Sequence, residues 1–360
     1  FTHNVMSFAT RKQLYGNSEA KFSDLAGVGP VADHPKYPPL PATAMAFALG
    51  ASVNGNADIA RKFFFFTVWE GGQPLSAFVK GKIPWNNLMG GVLKGANELR
   101  KRGLRTSVRA MIFVQGEGGP WGREAYRSAL TPFCAAISEA IQLEIGQDEL
   151  PKIILLQINK NAARAENPTN VELAQWDVAQ AVADVVLAGP MYQMPLGDNI
   201  HQNAVGRMIQ GDILAYVYRQ VVLHKQSFEP LHPIGAVRNG TTIVVSFKWP
   251  AGSGPLMLDA DGVAPCDDFG FAYSDDARST KIADVSIYSQ DEVLITLTAE
   301  PTGANPIILY GQGQNLAPGW SSGRGQLYCS SSEVSSFVEH QPGYPQYIRH
   351  YCLRSSTRVH

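Results

Sequence analysis

Four cysteines occur in 360 residues, and no two stand at a Cys-x-x-Cys spacing, so the usual structural-zinc pattern is missing. The 30 basic and 31 acidic side chains nearly cancel, for a formal net charge of -1. A nucleic-acid-binding surface would need a basic stripe, which this balance argues against. No apolar run approaches the length of a membrane-spanning helix. Phe1-Thr2-His3-Asn4 has neither the basic start nor the apolar core of a secretory leader. Cysteine usage leaves the compartment open. Cys134 lies in a helical pattern and is expected to be buried. Cys329 and Cys352 could pair, although free thiols are the preferred reading.

The composition otherwise suits a folded chain. Hydrophobic residues make up 45%, enough to bury a sizeable core in one large domain or two ordinary ones. The 34 Gly and 23 Pro suit a loop-rich extracellular or virion protein. Residues 1–40 have little periodicity beyond a short strand pattern at 5–8. Residues 41–49 are Ala-rich and read as a helix, with Pro41 acceptable in its first turn. From there strands and helices alternate: strand 62–69, helix 87–102, strand 107–114, helix 126–143, strand 152–158, helix 171–183, strand 184–188 and helix 205–222. The strands are solid apolar runs, Phe63-Phe64-Phe65-Phe66 among them. That pattern predicts an α/β fold, a parallel sheet with helices on both faces. Sites in such sheets form where the carboxyl ends of the strands open into loops. Three unusual loops hold such positions here: 70–75, 115–121 and 189–201.

After about residue 232 the texture changes. Strand patterns at 241–249, 283–289, 293–297 and 307–310 are punctuated by turns such as Asn239-Gly240 and Asp261-Gly262. This reads as a smaller all-β module, sandwich-like, with its boundary at Pro230-Leu231-His232-Pro233. The expected domains are 1–232 and 233–360. The other reading is a decorated tail packed on the α/β core.

The loop at 189–201 ends in Gly197-Asp198-Asn199-Ile200-His201. An Asp three residues before a His, at a loop-to-helix junction, can hold one ring nitrogen and leave the other as a general base. Alone, such a pair more often marks a helix cap beside a surface histidine. Two further blocks stand with it. Gln115-Gly116-Glu117 follows one buried strand, and Gly71-Gly72 follows another.

Together these blocks resemble the SGNH hydrolases, in particular the carbohydrate O-acetylesterase branch that includes sialate O-acetylesterases. The resemblance covers roughly residues 1–225. It implies a flavodoxin-like sheet and a serine esterase that removes acetyl groups from a glycan. His201 would be the base, and Asp198 would orient it. Gln115 and the backbone of Gly71 and Gly72 would bind the oxyanion, with Glu117 beside them. No metal or organic cofactor is implied. The expected partners are an acetylated glycan and either a homotrimer or an upstream segment of the same protein, with no nucleic acid and no membrane span. A phage tail-fibre or tailspike enzyme, on a virion, fits the β module, and a secreted bacterial acetylesterase fits nearly as well. One departure stands out. Residues 1–49 contain no Gly-x-Ser after an apolar strand, and Ser7, Ser18 and Ser23 lack that context. The nucleophile is expected upstream of Phe1, in a segment that would also supply a central strand.

A second function class stays open: a non-catalytic glycan-binding protein on the same fold. Each residue also has a bland role. His201 could be a surface histidine, Asp198 the N-cap of the next helix and Gln115 a partner for buried backbone. Gly71 and Gly72 could only permit a tight turn, and Glu117 could only hold its loop. Trp121 and Tyr192 could form a sugar-stacking wall or belong to the core.

Overall fold

The computed structural model describes residues 5–9, 63–68, 70–119, 122–159, 170–313, 315–335 and 345–360. The helix expected at 41–49 lies outside the described residues, as do Ser18, Ser23 and Trp121. The chain forms two compact units. One is drawn from 1–155, 169–186 and 207–226, the other from 156–168, 187–206 and 227–360.

The alternating elements come first along the chain. Strand β1 (Val5–Ala9) runs parallel to β2 (Phe63–Thr67), with Val5 opposite Phe63. In a second sheet β3 (Ala110–Phe113) is parallel to β4 (Lys152–Gln157), with Ala110 opposite Lys152. Strand β5 (Val185–Pro190) lies on the other side of β4. Ile153 to Leu156 are buried throughout, which is why β4 reads as an unbroken apolar run. The fold is therefore mixed α/β, with a three-stranded parallel sheet here and antiparallel sheets later in the chain.

Helix α1 (Ile83–Lys101) starts four residues before the expected Asn87, because Pro84 fits the first turn, where no backbone N–H is required. Helix α2 (Arg123–Ile145) ends on Gly146 in the left-handed region (φ 68°), whose N–H reaches Gln142 O. Helix α3 (Val171–Ala181) and α4 (Ala204–Tyr218) follow, and α4 runs on into a π-helical turn, Arg219–Leu223. A chain of rings ties the loop after β2 to this framework. Phe78 meets Phe113 edge-on at 6.0 Å, Phe113 lies 4.7 Å from Phe133, and Phe133 meets Trp85 at 6.3 Å.

The second unit holds the β-rich part. Strands β6 (His232–Asn239), β7 (Thr242–Lys248), β10 (Ile282–Ile287) and β11 (Glu292–Leu297) form an antiparallel sheet in the order β10-β11-β7-β6. Strands β9 (Phe271–Ser274), β12 (Ile307–Tyr310) and β15 (Ser355–Arg358) form another in the order β15-β12-β9. A third contains β8 (Met257–Leu258), β13 (Leu327–Val334) and β14 (Tyr347–Tyr351). One apolar core runs among them, including Tyr192, Ile243, Phe247, Val293, Ile295 and Tyr310. Tyr192 is wholly buried there and donates to Cys352 O at 2.6 Å, so it is core and no sugar-stacking wall.

Strand β6 starts inside the stretch read as a boundary loop. Pro233 is tolerated because β6 is the last strand of its sheet and its pairing with β7 slips between Pro233 and Gly235. Strands β9, β13, β14 and β15 were not expected. They carry buried polar residues such as Ser331, His350 and Arg354 at or beside them, which blurs the alternation that marks a strand. All four cysteines are free. Burial pushes the Cys134 and Cys329 thiols up to about 12 and Cys266 up to about 11.

Arg354 is the polar centre of the second unit. Its guanidinium donates to Ile158 O at 2.7 Å, to Ser321 Oγ at 2.8 Å and to Gly323 O at 2.7 Å from Nε. Its own N–H donates to Gln157 Oε1 at 2.8 Å, and Gln157 Nε2 returns a bond to Arg354 O at 3.1 Å. Replacing Arg354 with Leu leaves several buried acceptors without a donor. The expected cost is on the order of 3 kcal/mol, read as a lowered thermal midpoint by calorimetry. A midpoint equal to wild type would show that this network contributes nothing net.

Candidate functional site

In the first unit, the loop after β2 and the loop after β3 interlock. Gly71 and Gly72 form an exposed turn, with Gly72 at φ 71°. Leu75, wholly buried, anchors the loop in a short 3-10 turn. The facing loop brings Gln115, whose side chain crosses to the first: Nε2 donates to Gln73 O at 3.0 Å. Gly118 permits the close approach. A Cβ there would sit 2.7 Å from Gln73 O and 2.9 Å from the Gly72 carbonyl carbon, both backbone atoms. Two of the three loops singled out in the sequence thus meet, Gln115 on Gln73 and Gly118 on Gly72.

Gln115 is held from behind as well. Tyr126, from the first turn of α2, places its hydroxyl 2.7 Å from Gln115 Oε1 and 2.9 Å from Gln115 O. Gln175, from α3, donates from Nε2 to the same carbonyl at 3.1 Å. Gln115 therefore does satisfy backbone, as one reading expected, while its amide still faces the glycine turn. Tyr126 and Gln175 were missed in the sequence. A Tyr and a Gln in amphipathic helices carry no local signal of their partner. Glu117, half-buried, opposes burial in its effect on the Arg207 guanidinium: desolvation lowers the Arg207 pKa, and the Glu117 charge raises it. Arg207 also reaches Gln210 Oε1 at 3.1 Å.

In the second unit, the Asp-x-x-His stretch forms a closed turn. Asp198 Oδ1 accepts from the backbone N–H of Ile200 at 2.8 Å and of His201 at 2.6 Å. Its other oxygen, Oδ2, lies 2.7 Å from His201 Nδ1. The carboxylate is thereby fixed by main chain on one side and by the ring on the other. Gly197 N–H closes the turn on His201 O at 2.8 Å. Burial by itself would raise the Asp198 carboxyl. The hydrogen bonds from the His201 backbone, the His201 ring and Ile200 outweigh it and hold the group below the usual aspartate range. The side chains of His201 and Asp198 remain 40% and 43% exposed.

Asp198 is not the cap of the following helix. That role belongs to Asn203, whose Oδ1 accepts from Gly206 N–H at 2.9 Å as α4 begins. Gly206 in turn lets the helix start press on the loop. A Cβ at Gly206 would lie 2.5 Å from Pro195 O and 2.9 Å from Gln202 Cβ. The loop is also tied down by Leu196 N–H to Gly319 O at 2.6 Å and Asn203 N–H to Pro195 O at 3.0 Å. Asn159, just past β4, brings Nδ2 to 3.5 Å from Ile200 O, the limit of a hydrogen bond. Among the described residues no group of three or more His, Cys, Asp or Glu side chains is placed to hold a metal ion.

No protein-family model and no curated protein matches the chain. Among solved structures, it is similar to a novel carbohydrate acetylesterase from Xanthomonas citri, with a TM-score of 0.55 at 15% identity. The match covers 88% of this chain and 65% of the other, so the chain spans about two-thirds of its neighbour's length. At that identity the likeness is one of fold. A second match, to the N-terminal part of the bacterial S-layer protein SbsC, has 10% identity, covers 88% of this chain and 67% of the other, and reaches a TM-score of only 0.20.

Two outcomes are expected from this geometry. Gly206→Ala forces backbone apart at the root of the Asp–His turn and should cost roughly 2 kcal/mol, measured as a shift in thermal midpoint. The lowered Asp198 pKa also has a sign. Its stabilisation is present above the ordinary aspartate value of about 3.9 and is lost as pH falls through the lower folded value. The stability gap between wild type and Asp198→Asn should therefore shrink on titration from about pH 6 to about pH 3. A gap constant across that window would mean that the carboxylate is not held by these hydrogen bonds.

Proposed function

We propose that this chain is a carbohydrate O-acetylesterase of the SGNH type, with a flavodoxin-like sheet and a Ser-His-Asp mechanism. The division into a 1–232 hydrolase part and a 233–360 module belongs to the same proposal. The observation that carries the reading is the Asp198–His201 pair: a carboxylate pinned by two backbone N–H groups and facing Nδ1 at 2.7 Å. Such a carboxylate fixes the tautomer with the proton on Nδ1, so that Nε2 is the basic nitrogen.

The reaction is acyl transfer to water. A serine hydroxyl attacks the acetyl carbonyl while His201 Nε2 takes its proton. The tetrahedral oxyanion collapses, the C–O bond to the sugar breaks, and the imidazolium returns the proton to the sugar oxygen. Water then attacks the acetyl-serine with the same base, releasing acetate and restoring the serine. Asp198 stabilises the imidazolium in both halves. Gln115 has two amide hydrogens, one of which reaches Gln73 O. The other, with the backbone N–H groups of Gly71 and Gly72, is assigned to the oxyanion. Glu117 is assigned to holding this loop through the Arg207 charge. The fold likeness to a carbohydrate acetylesterase supports the substrate class. The Gly- and Pro-rich texture fits an extracellular or virion setting such as a phage tailspike.

The test is acetate release from an acetylated glycan, or from p-nitrophenyl acetate, by the full-length protein. His201→Ala should lower kcat by at least about a thousandfold, since one member of a triad disables the rest. Gln115→Ala should cost roughly a hundredfold or more with little change in KM. Equal release by wild type and His201→Ala would remove the enzyme assignment and leave a glycan-binding protein on this fold.

A further inference from the structure

A glutamine amide can donate to an oxyanion in only one of its two flips, because its oxygen and nitrogen ends are nearly equal in shape. We propose that Tyr126 and Gln175 are positioning residues for Gln115: they set the flip of its amide so that the nitrogen end lies on the side of the Gly71–Gln73 turn. The proposal deepens the esterase reading and rests on it for the role of Gln115.

Three contacts carry the argument. Gln73 O can only accept, so the group 3.0 Å from it must be Nε2; reversing the amide would set two oxygens against each other. At the opposite end Oε1 needs a donor, and the Tyr126 hydroxyl is 2.7 Å away on a wholly buried side chain. That hydroxyl has one proton and two acceptors in reach, Oε1 and Gln115 O at 2.9 Å. Gln175 resolves the competition. Its Nε2 serves Gln115 O from α3, which frees the tyrosine proton for the nearer Oε1. Two helices, α2 and α3, thus act on one side-chain amide. Gln175 is 1% exposed and Tyr126 0%, so water does not readily substitute for either.

The test compares Tyr126→Phe, which removes only the hydroxyl, with Gln175→Leu as a second variant. The first readout is the Gln115 side-chain amide pair in a 15N-correlated spectrum of the full-length protein, assigned by its absence in Gln115→Ala. In wild type the two protons should be well separated and slow to exchange. In both variants they should move toward free-amide shifts and exchange faster, while circular dichroism stays unchanged. The second readout is acetate release: kcat should fall roughly tenfold in Tyr126→Phe at constant KM, an order less than loss of the donor itself. Unchanged amide signals in both variants overturn the proposal, whatever the activity. If His201→Ala retains full activity, the esterase reading fails, and the amide signals still decide the positioning role.

Discussion

Where a parallel strand ends, its ladder ends too, and the backbone groups just beyond it need other partners in a place shielded from water. Much of the polar interior meets that demand. Past β3, Gln115 O is taken by Gln175 Nε2. At the end of β4, Gln157 O receives Met191 N–H at 2.9 Å, and Ile158 O receives the Arg354 guanidinium. Side chains are spent on main chain, and the loops that follow each strand inherit a fixed starting point. The candidate residues sit in those loops.

The same economy shapes the Asp198 turn. One carboxylate oxygen is committed to two backbone N–H groups, so the second is aimed at the imidazole without freedom to swing. Rigidity of this kind suits the general-base role proposed for His201, since a ring that can rotate loses both its tautomer and its reach. The two close approaches, Gly118 on Gln73 and Gly206 on Pro195, serve the same end in the two units. Each lets backbone lie where a side chain would hold it off.

Much of the α/β part was legible from the sequence. The runs at β3, β4 and β5 and the stripes of α1 to α4 reflect short-range burial patterns, which survive in one dimension. Gln-Gly-Glu and Asp-x-x-His were visible as motifs because their members are adjacent. The helix cap was misread as an open choice on Asp198, although Asn203 stands one residue before the helix and has the same chemistry. Strands β13 to β15 were hidden by buried serines, a histidine and an arginine at or beside them.

By itself, the sequence determined the order of strands and helices, the residue types at the loop ends and the local turn that puts Asp198 beside His201. These depend on contacts within a few residues. Only the tertiary structure decided that Tyr126 and Gln175 grip Gln115, that Gly118 seats one loop on another, and that Arg354 closes on Gln157 from 197 positions away. The physical reason is that a buried hydrogen bond is specified by where two groups meet in space, and no periodicity along the chain encodes that meeting.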